Sequence, residues 1–140
     1  MFRKAFMEPY TRIVNYYETD RMQITHHSNY IRFMEEARID FFEKLGCGYR
    51  EMEAGGVYSP VVNVSCEFRK TTDFGDVLKI SVSVEKLTAV RLVLKYEMTR
   101  DGEVVTTGSS SHCFLDENGK FVKLDQAYPD LYEKLKGLKV

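Results

Sequence analysis

The chain has 140 residues, 20 basic and 21 acidic side chains, a net charge of −1 and 44% hydrophobic residues. That length suits one domain burying roughly two thirds of its unfolded surface, near the lower size limit for an enzyme pocket, so a site shared between subunits would help. With no charge excess and no run of like charge, electrostatic binding to nucleic acid or to a membrane surface is disfavoured, and a small-molecule partner is expected.

Met1 to Tyr10 carries Arg3 and Lys4 but no apolar run. No stretch approaches the roughly 20 apolar residues that span a bilayer, which predicts a cytoplasmic protein without a membrane span. Cys47, Cys66 and Cys113 are odd in number and lack metal-ligand spacing, so they read as reduced thiols, and no metal site is expected. Cys66 and Cys113 fall in strand-like stretches as core filler, and Cys47, just past a helix end, reads as incidental.

Residues 10–18 are rich in β-branched and aromatic side chains and predict a first strand. A polar loop follows. From Asp20 to Leu45 there is no Gly or Pro, and apolar residues at Tyr30, Phe33, Met34, Ala37, Phe41 and Leu45, widened by Ile31 and Phe42, predict one long, mostly buried helix. Its start is expected at Ser28 or Asn29, whose side chains can cap the first turn, and Gly46 is placed to end it in the left-handed conformation. Arg38 points into the apolar arc, with its stem on apolar surface and its head in water. Glu36 with Arg32 and Glu35 with Arg38 are expected to pair within the helix.

Gly55-Gly56 marks a connection with a helical turn at residues 50–54. Residues 58–69, 77–87 and 90–100 each alternate apolar with polar, predicting three half-buried strands in an antiparallel meander. Asp101-Gly102 is a type I′ hairpin signal leading to a last strand at residues 103–115. That strand is rich in small residues from Thr106 to Ser111, either to let a ligand run close to the backbone or to let the helix cross. His112 in it is expected to be structural. Pro129 opens a short amphipathic C-terminal helix through Lys136. The sum is α+β: five antiparallel strands around one long helix, with open sheet edges that a second copy could cover.

The chemistry concentrates in the polar loop. Asp20, Thr25, His26, His27, Ser28 and Asn29 precede a helix start, whose free amides and positive dipole end favour developing negative charge. Asp20 could curl back to set a carboxylate beside an electrophile-polarising amide. Equally, Asp20 could cap a turn while the histidines stay solvated.

The segment YYETDRMQITHHSNYIRFMEEAR resembles the active-site segment of the hotdog-fold acyl-CoA thioesterases, the 4-hydroxybenzoyl-CoA thioesterase-like family. The match rests on Asp20, His27, Asn29, Tyr30, Glu35 and Arg38, and the order of elements is similar over most of the chain. The resemblance implies a hotdog fold over residues 1–140 and hydrolysis of a small or medium acyl-CoA thioester. Asp20 would be the catalytic carboxylate, the main-chain amide at His27 would polarise the carbonyl, and Asn29 and Tyr30 would border the substrate. Glu35 and Glu36 are rival carboxylates.

Two departures stand out. Gln23 occupies a position where many relatives have Gly, and the basic cluster of the strand tip at residues 86–91 is reduced to Lys86 and Arg91, with Arg69 and Lys70 as another candidate for binding the coenzyme A phosphates. An acyl carrier protein thioester therefore stays open as substrate. No cofactor is expected, since coenzyme A is part of the substrate, and a homodimer or homotetramer with sites at the subunit interface is predicted. A hotdog dehydratase or hydratase using Asp20 and His27, and a non-catalytic acyl-CoA-binding module, are the alternatives.

Overall fold

The computed structural model describes residues 7–139, so the reading of the first residues falls largely outside it. The helical pattern after the polar loop produces α1, Ser28–Lys44, which Gly46 ends at φ +78°. Tyr30, Phe33, Met34, Ala37, Phe41 and Phe42 are buried, as the periodicity predicts, whereas Ile31 is exposed. Arg38 differs from expectation. It is only 7% exposed, because Tyr49 and Tyr96 supply phenol oxygens at 2.9 and 3.0 Å to hold its head inside.

The strands are β1 (Tyr10–Ile13), β2 (Val61–Phe68), β3 (Val77–Leu87), β4 (Leu92–Arg100) and β5 (Glu103–His112), all antiparallel in the order β1-β3-β4-β5-β2. The first strand stops short of its predicted end. Glu18 closes a turn by accepting the Asn15 amide at 2.8 Å, and residues 16–18 form a 3₁₀ turn with Tyr16 and Tyr17 exposed. The β4–β5 hairpin turns on Asp101 and Gly102 at φ +53° and +82°, the two positive angles of a type I′ turn.

The meander is β3-β4-β5, and not one that includes β2 in sequence. β2 crosses to the far edge beside β5, and of its residues only Cys66 reaches half-burial. Alternation in its sequence predicts one covered face, but an edge strand receives cover on one side only, here through Met34 Sδ at 3.3 Å from Cys66 Sγ.

The small residues of β5 serve helix packing. A Cβ on Gly108 would meet the Ser65 carbonyl at 2.8 Å and Met34 Sδ at 3.0 Å, so the strand must be bare where α1 crosses it. Further along β5, Ser110 bridges the Tyr96 hydroxyl (2.7 Å) to His112 Nε2 (2.8 Å). Burial, and then the nearby Arg38 charge, push His112 down to about 4, so its ring is neutral. It is structural in the way the sequence suggests.

Three short helices complete the chain. α2 (Tyr49–Ala54) begins one residue earlier than predicted, α3 (Leu124–Ala127) is additional, and α4 (Pro129–Leu138) buries Leu131 and Leu135. Cys47 is fully buried near Asp130 and Lys134, and is core rather than incidental. Among the described residues no helix is long and apolar enough to cross a membrane, and no cluster of His, Cys, Asp or Glu could hold a metal ion.

Candidate active site

Asp20 is carried on a small hairpin. Thr19 and Thr25 bridge antiparallel, the Asp20 amide donates to the Ile24 carbonyl, and the Gln23 amide donates back to the Asp20 carbonyl at 2.9 Å. One carboxylate oxygen of Asp20 accepts the Met22 amide at 2.8 Å, which fixes the side chain against its own turn. The second oxygen has no partner among the described residues. Turn capping and a poised carboxylate, alternatives on sequence alone, are thus both built into the same side chain.

Gln23 sits at φ +63°, a left-handed conformation that glycine adopts freely and in which Gln is strained. Gln23→Gly should relieve that strain while costing some unfolded-state entropy, for a net gain of about 0.5–1 kcal/mol. A melting temperature raised by about 2–4 °C in differential scanning calorimetry is the expected result.

The start of α1 is organised by Glu18. Its carbonyl accepts the His26 amide (2.8 Å) and Asn29 Nδ2 (3.0 Å), and Asn29 Nδ2 also reaches the His26 carbonyl. This corrects the capping expectation: neither Ser28 nor Asn29 caps α1, since Asn29 satisfies these carbonyls and Ser28 Oγ pairs with His26 Nδ1 at 2.9 Å. Ser28, Asn29 and Tyr30 donate their amides to His26 Nδ1, the His26 carbonyl and the His27 carbonyl. The His27 amide, just before this run, has no acceptor among the described residues.

Glu18 is itself clamped. Its carboxylate, 3% exposed as a residue, takes two hydrogen bonds from Arg12 (2.9 and 2.5 Å), and Arg12 Nε also donates to Glu36 at 2.8 Å. The Arg12 guanidinium lies 4.6 Å over the Phe33 ring, and hydrogen bonding to Glu36, then to Glu18, holds it above the usual guanidinium value. Glu36 therefore pairs across to β1 and not with Arg32, and Glu35 makes no ion pair with Arg38. The long-range partners win because Arg12 offers a fork that meets both carboxylates. The sequence reading missed Arg12 and Glu18, whose only local signal was an acidic residue two positions before Asp20.

On the other side, the loop is tied to the sheet. Thr25 donates its amide to the Thr72 carbonyl (2.8 Å), and the Thr72 hydroxyl meets both Thr25 Oγ1 and the Tyr30 hydroxyl at 2.7 Å, with Thr72 1% exposed.

These supports frame a cleft of about 220 Å³ between α1 and the end of β2, lined by Asp20, His27, Tyr30, Phe68, Arg69 and Lys70 among others. Tyr30 and Phe68 form an aromatic wall with ring centres 5.2 Å apart. The His27 ring stacks on His26 at 4.2 Å and meets the edge of Phe68 at 6.3 Å. Asn29 lines an adjoining cleft that also reaches Asp20. Of the predicted site residues, Asp20, His27 and Tyr30 are brought together and Asn29 supports them from behind. Lys86 and Arg91 are not. Lys86 pairs with Val93 near the β3–β4 turn, at the opposite end of the sheet from Phe68, which pairs with Thr106.

Residues 14–135 match the thioesterase-like superfamily. YneP of Bacillus subtilis (strain 168), provisionally named an acyl-CoA thioesterase, is 34% identical over 128 residues, which are 88% of this chain and 93% of that protein. A DHNA-CoA thioesterase structure from Staphylococcus aureus is 34% identical with a TM-score of 0.88, covering 92% of this chain and 88% of that one. A hypothetical protein from Thermus thermophilus is 31% identical with a TM-score of 0.87, over 94% and 99% of the two chains. With five antiparallel strands around α1 and a family match across nearly its whole length, this chain belongs to the thioesterase-like superfamily and has the hotdog fold.

Proposed function

We propose that the chain hydrolyses a small or medium acyl-CoA thioester to free acid and thiol, with Asp20 as base or nucleophile and the His27 amide polarising the carbonyl. One observation carries this reading: a carboxylate with one oxygen unpartnered and a main-chain donor with no acceptor belong to two residues that line the same cleft. As the carbonyl oxygen gains charge, the amide and the positive end of α1 stabilise it. Water either adds directly to the thioester carbonyl, giving its oxygen to the acid, or opens an acyl-Asp20 anhydride at the Asp20 carbonyl, giving its oxygen to Asp20 while the acid leaves with an oxygen of Asp20; in both the sulfur leaves as the thiol with the proton. Coenzyme A enters as part of the substrate, and the step draws on no cofactor. The likeness to YneP and to the DHNA-CoA thioesterase supports the substrate class.

A dehydratase would use the His27 imidazole as a second acid or base on the substrate, whereas hydrolysis needs only its main-chain amide, so His27→Ala should abolish activity as completely as Asp20→Asn in the first case and spare part of it in the second.

The assembly we propose is a homodimer, or a tetramer of two dimers, in the cytoplasm. Val61, Val62, Val64 and Phe68 on β2 and Ile31 on α1 are 38–53% exposed, an apolar edge beside the cleft that a second copy would cover. Antiparallel pairing through β2 turns the Lys86 and Arg91 end of one sheet toward its partner's cleft. Together with Arg69 and Lys70 at the mouth, these cations would meet the coenzyme A phosphates.

Thiol release from a panel of acyl-CoA thioesters, together with solution mass by light scattering, tests both parts. Turnover by a dimer or tetramer is expected. Tight binding of acyl-CoA without thiol release would replace the enzyme by a binding module, and a monomer would remove the shared site.

A further inference from the structure

A second cleft, of about 270 Å³, lies between α1 and β2 beyond the first, walled by Ile31, Met34, Val61 and Val64, with Arg38 and Ser110 at its base and Arg32 and Glu35 at its lip, on the side that the proposed second copy would close. Its walls are apolar, yet it is served by a cation. Arg38 is 93% buried by difference from its 7% exposure, and its two hydrogen bonds go to the neutral hydroxyls of Tyr49 and Tyr96. No carboxylate pairs with it among the described residues, although Glu35 stands one turn back on the same helix. The Tyr96 hydroxyl is held in turn, since it is bonded to Ser110 and Ser110 to the neutral His112.

Burying a guanidinium without a counter-charge is costly, and an anion that reached it would offset that cost. Its planar fork of donors matches a carboxylate best. Position matters as well. From His27 to Arg38 is eleven residues of helix, about 16 Å along the axis at 1.5 Å per residue, and both clefts open between the same two elements. An acyl group whose thioester sits at Asp20 would run past Ile31, Met34 and Val64 and end at Arg38.

We propose that this second cleft receives the distal end of the acyl group and that this end bears a carboxylate, held by Arg38. The proposal rests on the thioesterase reading and deepens it: the substrates are acyl-CoA thioesters of dicarboxylic acids. Methylenes of the chain fill the apolar walls, and the terminal carboxylate supplies the charge that Arg38 lacks. Glu35 at the lip disfavours that anion and sets how strongly it is preferred.

The test compares kcat/KM for carboxylate-ended and methyl-ended acyl-CoA thioesters of ten, twelve and fourteen carbons, the lengths that approach the span from Asp20 to Arg38. Wild-type protein should favour the carboxylate-ended member of at least one pair by about tenfold or more. In Arg38→Met that ratio should collapse, with the loss falling on the carboxylate-ended substrate. Should Arg38→Met fail to fold, Glu35→Gln decides, because Glu35 is exposed and its neutral isostere should raise the ratio about threefold. No preference in the wild-type protein, an equal loss on both substrates in Arg38→Met, or an unchanged ratio in Glu35→Gln would overturn the proposal. If no acyl-CoA of either kind is hydrolysed, the thioesterase reading itself fails, which is a different result.

Discussion

Asp20→Asn is expected to lower acyl-CoA hydrolysis by about 10²–10⁴-fold, the range for loss of a positioned base or nucleophile. The substitution is chosen because it spares the structure. The side-chain carbonyl of Asn still accepts the Met22 amide that Asp20 Oδ1 accepts, so the hairpin keeps its turn and stability should change by less than about 1 kcal/mol. Only the charge and basicity of the second oxygen are lost. Thiol release should therefore fall while melting temperature and solution mass hold, and unchanged turnover would reject Asp20 as the reacting group. A single turnover in oxygen-labelled water then separates its two roles: label appearing in the Asp20 carboxylate indicates attack on the carbonyl, and label going straight to the acid indicates activation of water.

The second large effect is structural. Arg12→Met should destabilise the protein by about 3 kcal/mol or more, because it strands the buried Glu18 carboxylate and half-exposed Glu36 without their shared cation. The urea midpoint measures this. Activity should fall too, by about tenfold to a hundredfold. The Glu18 carbonyl orients the His26 amide and Asn29, and the turn between them sets where the His27 amide points, so a small shift there misplaces a donor aimed at the reacting carbonyl. If Arg12→Met lowers stability with hydrolysis untouched at a temperature where it is fully folded, Glu18 does not govern the geometry of the helix start.

What could be foreseen from the residues depended on how local the cause was. α1, β3 and β4 announce themselves because each buries a periodic face, and the Asp101-Gly102 turn because two positive φ angles demand such residues. β2 misled, since its alternation is that of a covered strand, while at the sheet edge only Cys66, against Met34, reaches half-burial. Arg12 was invisible as a site residue because its partners, Glu18 and Glu36, are 6 and 24 positions away and only the fold brings them together. Arg38 was visible but misjudged: a long cation on an apolar stripe usually reaches solvent, and nothing local to it announces the two tyrosine hydroxyls that keep it inside. Asp20 and His27 were singled out by their place before a helix start and by the family resemblance, and the fold brings them to one cleft, while the Glu18 carbonyl that organises their neighbourhood belongs to the backbone and leaves no mark in side-chain pattern.

The tie at Thr72 has a consequence for how substrates are admitted. Its carbonyl and hydroxyl hold the Thr25 amide, the Thr25 hydroxyl and the Tyr30 phenol at once, all out of contact with water. Swinging the hairpin aside would break both Thr25 bonds together with little solvent to replace them, so the hairpin is a fixed jamb and not a door. Acyl groups are then sorted by whether they fit a rigid frame on arrival, and the deuterium uptake of the Thr25 amide should be as slow as that of the central strands, with or without ligand.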